Sequence, residues 1–178
     1  MLPAVLGPLT RHPDIDEWVQ SELVRVDSLG GHQFRFVFDE STPLDDAGLA
    51  SALHNMLRQE LNLLAKAEGH VFDYFRDTIR LLGEEAPNLT VATAAEVWRY
   101  VEFGEAIAVH QKSGDRLVPA GIYFSVECGC AWEVEHGLQL VFRDGIEVVK
   151  VGMYDGHLTN AHAFADPRFV NLVYRSTA

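Results

Sequence analysis

Apolar and polar side chains alternate most cleanly between Pro119 and Gly156. From Ile122 the even positions are Ile122, Phe124, Val126, Cys128, Cys130 and Trp132, and the odd ones are Tyr123, Ser125, Glu127, Gly129, Ala131 and Glu133. Successive side chains of a strand point to opposite faces, so this period predicts one long strand with an apolar face and a mixed, partly exposed face. Trp132 falls on the apolar face, where it is expected to anchor the strand against the helix carrying Leu53 and Leu57. Glu133-Val-Glu-His-Gly137 interrupts the alternation and reads as a turn, with Gly137 supplying positive φ. Leu138, Leu140 and Phe142 resume it, and Asp144-Gly145 is a hairpin signal before a third strand from Ile146 to Val151.

Upstream, Gln33 to Asp39 sets Phe34, Phe36 and Phe38 against Arg35 and Val37, a second clear strand pattern. Trp18 to Val26 reads as its partner across the Leu29-Gly-Gly-His32 connection. Leu2 to Thr10, broken by prolines, reads as an edge strand or covering arm, and Val101 to Val109 as a further strand. Between Ala47 and about Ala67 the period changes, with Leu49, Leu53, Met56, Leu57, Leu61 and Leu64 forming a helical stripe. Gly69 interrupts that stripe, and Phe72, Phe75, Ile79 and Leu82 mark a second helix that ends at Gly83. Thr93-Ala-Ala-Glu96 is a capping-box pattern opening a short third helix.

Strands, then helices, then strands predict an α+β fold. The expected architecture is a mostly antiparallel sheet, built from the C-terminal meander and an N-terminal hairpin, with two to three helices packed on one face. No linker composition divides the chain, so residues 1–178 are expected to form a single domain.

Charge changes the picture more than composition does. With 26 acidic against 14 basic residues the formal net charge is -12. Nucleic acids and anionic membranes are therefore not expected as partners, because both are met by concentrated Lys and Arg. A basic protein partner fits, and plain solubility explains the acidity equally well. The two cysteines share one strand face at spacing i, i+2, where a disulfide would be badly strained. Two buried free thiols are expected instead, which points to a reducing compartment and hence the cytoplasm. The N-terminus has no basic region suited to a signal peptide, and no apolar run approaches the roughly 18 residues that span a bilayer.

Candidate chemistry gathers after the long strand. Cys128, Cys130 and His136, with Glu133 and Glu135, are potential metal ligands, but Cys-x-Cys alone lacks the paired spacing of a zinc site. No bound metal or cofactor is expected. Glu133, Glu135 and His136 could act as an acid–base group, since a carboxylate tunes a neighbouring imidazole. Against that, adjacent residues of a turn seldom converge on one substrate. No phosphate-cradling loop, nucleophile elbow or dinucleotide fingerprint occurs.

Around Glu127-Cys-Gly-Cys-Ala-Trp-Glu-Val-Glu-His-Gly-Leu138 the sequence resembles a bacterial family of uncharacterised domains. Its signature reads Cys-x-Trp-(Glu/Asp)-x-Glu-His-Gly-Leu, followed by a strand, a short turn and a strand ending in Val-Gly. Cys130, Trp132, Glu133, Glu135, His136, Gly137 and Leu138 stand at those positions. Such domains are similar in type to immunity proteins of toxin systems. The resemblance thus implies a non-catalytic protein-binding module that neutralises a basic toxin by stoichiometric binding. Glu133, Glu135 and His136, with Glu84 and Glu85 after the second helix, are the expected partner contacts. The alternative is a small enzyme or metal-dependent domain centred on the Glu133–His136 turn.

Overall fold

The computed structural model describes residues 2–39 and 42–176. It is an α+β fold around an open eight-stranded sheet. The strands are β1 (Thr10–Arg11), β2 (Val19–Gln20), β3 (Val24–Val26), β4 (His32–Phe38), β5 (Val101–Lys112), β6 (Gly121–Cys130), β7 (Glu133–Arg143) and β8 (Glu147–Gly152). They lie in the order β1-β2-β4-β5-β6-β7-β8, with β3 also paired to β4. All pairs are antiparallel except β4 with β5, where Arg35 to Phe38 run alongside Ala106 to Val109. That parallel pair follows from the connection, because a crossover carrying the helices must separate two parallel strands.

The expected N-terminal hairpin is β3–β4, but Trp18 to Val26 is not one strand. It breaks between Gln20 and Val24, so that β2 and β3 pair with different stretches of β4. The buried Ser21 at the break takes the N–H of Phe36 on its hydroxyl. The proline-interrupted N-terminus is a 3-10 turn, Ala4–Leu6, followed by the short edge strand β1.

Two helices cover the inner face. α1 (Ala47–Leu57) starts where the Asp46 carboxylate accepts the N–H of Leu49 at 2.8 Å, an N-cap of the usual kind. α2 (Leu63–Leu82) buries Leu63, Ala67, Val71, Tyr74 and Phe75 at helical spacing. The break between them lies at Arg58 to Asn62, not at Gly69 as the sequence suggested. Asn62 adopts a left-handed conformation (φ 37°) and caps α2 by accepting the N–H of Ala65. Gly69 has open space where a Cβ would stand, and a lone glycine on a solvent-facing turn costs a long helix only about 1 kcal/mol. The predicted third helix is a 3-10 helix, Ala94–Tyr100, opened by the Thr93/Glu96 capping box. A short α3 (Asn160–Ala163) follows the sheet.

The core forms where the two helices meet the inward rows of the sheet: Phe34, Phe36 and Phe38 on β4, Phe124 and Val126 on β6, and Leu138, Leu140 and Phe142 on β7. Trp132 belongs to this core but packs on α2, not on α1. Its ring lies 6.0 Å from Tyr74 and 5.6 Å from Phe75, edge to face with both. The β7–β8 turn carries the expected positive φ at Asp144 and Gly145, and Asn55 of α1 donates to the Asp144 carbonyl.

The outer face of the sheet was expected to be partly exposed. It is so, with one part covered where Tyr123 and Val141 pack with Val118 and Leu158 in a second, smaller cluster. Beside that cluster a polar chain crosses three strands. Gln139 donates to the Ser125 hydroxyl (2.9 Å) and accepts from the Lys150 ammonium (2.7 Å). Lys150 also donates to the Asp155 carboxylate and to the His157 carbonyl. No described helix is long and apolar enough to cross a membrane.

Candidate functional site

The predicted Glu-x-Glu-His turn is the first stretch of β7. The hairpin turn falls two residues earlier, at Ala131–Trp132, between the paired Cys130 and Glu133. Four residues of β7, Val134 to Gly137, stand opposite Gly129 alone, and the three extra ones are absorbed in an irregular stretch ending at Gly137, whose φ of 66° and close approach to the Cys128 carbonyl leave no room for a Cβ. Tyr74 of α2 donates its hydroxyl to the Gly137 carbonyl at 3.1 Å, which holds that stretch against the helix.

Glu133, Glu135 and His136 do converge: their potential ligand atoms all lie within 4.8 Å of one another. Glu133 is largely committed to its own strand, however. Its carboxylate accepts the N–H groups of Glu135 (3.1 Å) and His136 (2.8 Å), with the His136 imidazole 3.3 Å away. The thiols do not join this group. Cys128 and Cys130 are buried and unbridged, and the Cys130 thiol donates to the Glu133 carbonyl. Burial pushes the Cys128 thiol well above the usual thiol value and Cys130 up to about 12, so neither is a ready nucleophile. Glu84 and Glu85 sit exposed on the 3-10 turn Gly83–Glu85 after α2, and no ion pair or hydrogen bond joins them to Glu133 or His136.

A concavity lies elsewhere, on the outer face between β5 and β6. Phe103 pairs with Cys128 and Ile107 with Val126, so three residues of β5 stand opposite Glu127 alone. This bulge carries Gly104, Glu105 and Ala106 outward, and a Cβ on Gly104 would stand 2.8 Å from the Glu127 carbonyl. The result is a trench of about 380 Å³. Gly104, Gly129, Ala106 and Ala108 line it with at most a methyl group each, beside Phe103 and Ser125. Its rim is Glu102, Glu105, Glu127 and Tyr154. Burial, with the Glu127 and Asp155 charges, pushes the Tyr154 phenol above its usual value. Among the described residues no Lys, Arg or His lies within ion-pair distance of the three glutamates.

A second basin of about 440 Å³ continues the trench through the shared Glu102 and Gly129 towards Val134 and Tyr100. Val134, set between Glu133 and Glu135, is 88% exposed. The expected acidic group therefore flanks the trench in sequence, while the residues that shape it went unnoticed. One signal could have found them. In Val101 to Val109 the inward parity falls on Val101, Phe103, Ile107 and Val109, and Glu105 breaks it beside a glycine. A glutamate at an inward position next to Gly is the mark of a bulge.

Three unpaired carboxylates around a trench lined largely by glycine and alanine repel one another and attract cations. The trench can receive a Lys or Arg side chain, or a basic stretch of backbone, without displacing any large side chain. It holds no nucleophile with an adjacent base.

The family described as "Domain of unknown function (DUF6985)" matches residues 5–158, and the chain belongs to it. That match covers all eight strands with α1 and α2, and it ends before α3. No curated protein and no solved structure matches the chain.

Proposed function

We propose that this member of the family is a stoichiometric protein-binding module that takes a basic partner in the β5–β6 trench. The observation that supports it is the set of unpaired carboxylates, Glu102, Glu105 and Glu127, around a trench lined largely by glycine and alanine. Val134 at the far end supplies an exposed apolar contact, and interfaces combine such anchors with a polar rim. Glu133, Glu135 and His136 extend the acidic border beside Val134, and Glu84 and Glu85 add to the general field. The acidic balance of the chain favours fast association with a basic partner, and buried thiols suit work in a reducing cytoplasm. Within this reading the module is toxin-neutralising, an immunity-type protein whose basic partner is the toxin.

The test is capture from the source cells with the native chain and with a variant carrying Glu102→Lys, Glu105→Lys and Glu127→Lys. A basic protein held by the native chain and lost by the variant supports the trench, provided its association slows as salt rises. Growth arrest by that partner alone, relieved by the native chain and not by the variant, supports the neutralising role. A partner that binds both forms equally, or associates at a salt-independent rate, sinks the trench reading.

A second reading, a small metal-dependent enzyme, draws only on the convergence of Glu133, Glu135 and His136. Stoichiometric zinc uptake abolished by His136→Ala would favour it. Any ion there would compete with the two backbone N–H groups that Glu133 already accepts.

A further inference from the structure

Beyond the residues the family match covers, the C-terminal segment folds back over the sheet edge. Val151 of β8 donates its N–H to the Val173 carbonyl at 2.7 Å. Asn160 donates through Nδ2 to the carbonyls of Leu172 (2.7 Å) and Val173 (3.0 Å). The hydroxyls of Tyr174 and Ser176 reach the Asp77 carboxylate on α2 at 3.0 and 2.6 Å.

Between this strap, β8 and α2 lies a cavity of about 210 Å³. Its wall is mostly apolar, with Tyr74, Val151, Met153, Phe164 and Tyr174. An apolar cavity of roughly 150 Å³ admits benzene, so one aromatic ring fits here.

The polar groups that reach the cavity are few and carry a net positive charge. Lys150 has its three ammonium donors engaged by Gln139, Asp155 and the His157 carbonyl, so the Lys150–Asp155 pair is neutral and closed. Arg175 is different. Its guanidinium lies 4.1 Å from the Phe164 ring centre and 5.1 Å from that of Phe169. No described carboxylate stands within ion-pair distance of it, and Asp166, which feels its charge, is bound by Arg168. Asn160 is 4% exposed, and its Oδ1 receives no hydrogen bond from the described residues, since both Asn160 bonds leave from Nδ2. A cation without a counter-ion and an amide oxygen that accepts no hydrogen bond from the described residues thus belong to the lining of a mostly apolar cavity, in a chain whose net charge is -12.

We propose that this cavity binds a small organic carboxylate whose apolar body is the size of one aromatic ring. The carboxylate pairs with Arg175, and the body lies among Tyr74, Met153 and Tyr174. A hydroxyl or amino substituent on the ligand would gain a bond to Asn160 Oδ1. The site is separate from the trench and does not depend on the partner-binding reading.

Para-fluorophenylacetate is a suitable probe, with the neutral para-fluorophenylacetamide as control, followed by fluorine NMR on the full chain. The acid should bind one saturable site in the millimolar range or better, at least about tenfold tighter than the amide. Arg175→Gln should remove that preference while leaving the amide unchanged. Ala163→Leu, which fills the cavity from α3, should abolish binding of both, with thermal melts confirming that each variant is folded. Absence of saturation at millimolar probe, equal affinity for acid and amide, or undiminished acid binding by Arg175→Gln would each overturn the assignment.

Discussion

Replacing Asp155 by alanine removes the counter-charge of a lysine side chain that is only 2% exposed. Lys150 would keep two neutral acceptors, the Gln139 amide oxygen at 2.7 Å and the His157 carbonyl at 3.3 Å. Stripping one partner from a buried ion pair typically costs about 3–5 kcal/mol. Asp155 is 29% exposed, so water can follow into the space it leaves, and the lower end of that range, about 3 kcal/mol, is expected. In a domain of this size that lowers Tm by roughly 6–12 °C. Lys150→Met should cost less, about 1–3 kcal/mol, because it leaves no charge buried but strands the acceptor of a fully buried Gln139. The double variant should cost less than the sum by about 0.5–3 kcal/mol, since Asp155 without the ammonium keeps only His157, through its N–H at 2.8 Å and its imidazole at 3.2 Å. Urea titrations at neutral pH, read as midpoint shifts at constant slope, measure all three. A cost below about 1 kcal/mol for Asp155→Ala, or strict additivity in the double variant, would refute the view that a charged pair holds this part of the sheet.

Trp132→Ala should destabilise by about 3–5 kcal/mol, because the indole fills the space between the hairpin turn and α2. Its buried indole N–H finds no partner, so Trp132→Phe should cost less than half as much in the same urea assay; a harmless alanine variant would place Trp132 at the surface. For Asp77 the Ser176 hydrogen bond, opposed by burial and helped by Tyr174 and the nearby arginines, holds the carboxyl below the usual range. A carboxyl depressed on folding contributes stability above its unfolded pKa, near 3.9, and loses it as pH falls through the folded value. Hydrogen exchange corrected for intrinsic rate should therefore show residues 172–176 opening below about pH 4 while β6 and β7 stay protected, and Asp77→Asn should open them at neutral pH. Equal protection of the strap in both conditions would contradict that anchor.

The strands were the legible part of this chain, because a one-sided core writes its period into the sequence. Phe34, Phe36 and Phe38, like Ile122 to Cys130, could sit inward only as strands. What the pattern could not carry was which strands are neighbours. The pairing of β4 with β5 spans both helices, and nothing local to either strand encodes it. The helix break was misplaced because glycine is the louder signal, although Gly69 is harmless where it points to solvent and Asn62 supplies the left-handed cap. At Glu133 to Gly137 a broken alternation looked like a turn, when an irregular stretch ending at Gly137 had absorbed the slip inside β7. The trench was hidden for a related reason. Glu102 and Glu105 meet Glu127 only through the β5–β6 register, and the sole local trace is a glutamate at an inward position beside Gly104.

The two halves of the outer face depend on each other. Along one row, Ala108, Ser125, Val141 and Lys150 lie side by side across β5 to β8, and the chain after β8 roofs the end nearest Lys150. The roof stops at Tyr154, which forms the trench rim, while the next residue, Asp155, binds Lys150. Adjacent residues of an extended chain project in different directions, so a single segment can seal the polar network with one side chain and border the open trench with the other. The network is hydrogen-bonded from Ser125 through Gln139 and Lys150 to Asp155, which also accepts the His157 N–H, and such a buried network fixes geometry more sharply than apolar contacts do. Tyr154 is therefore held on a rigid base at the boundary, not on a free loop. The β5 bulge performs the same service on the opposite wall, where backbone contact between Gly104 and Glu127 sets the spacing of the glutamates. Both walls of the trench are thus built by elements that the sheet already requires, and a binding surface made this way loses little conformational entropy when a partner arrives.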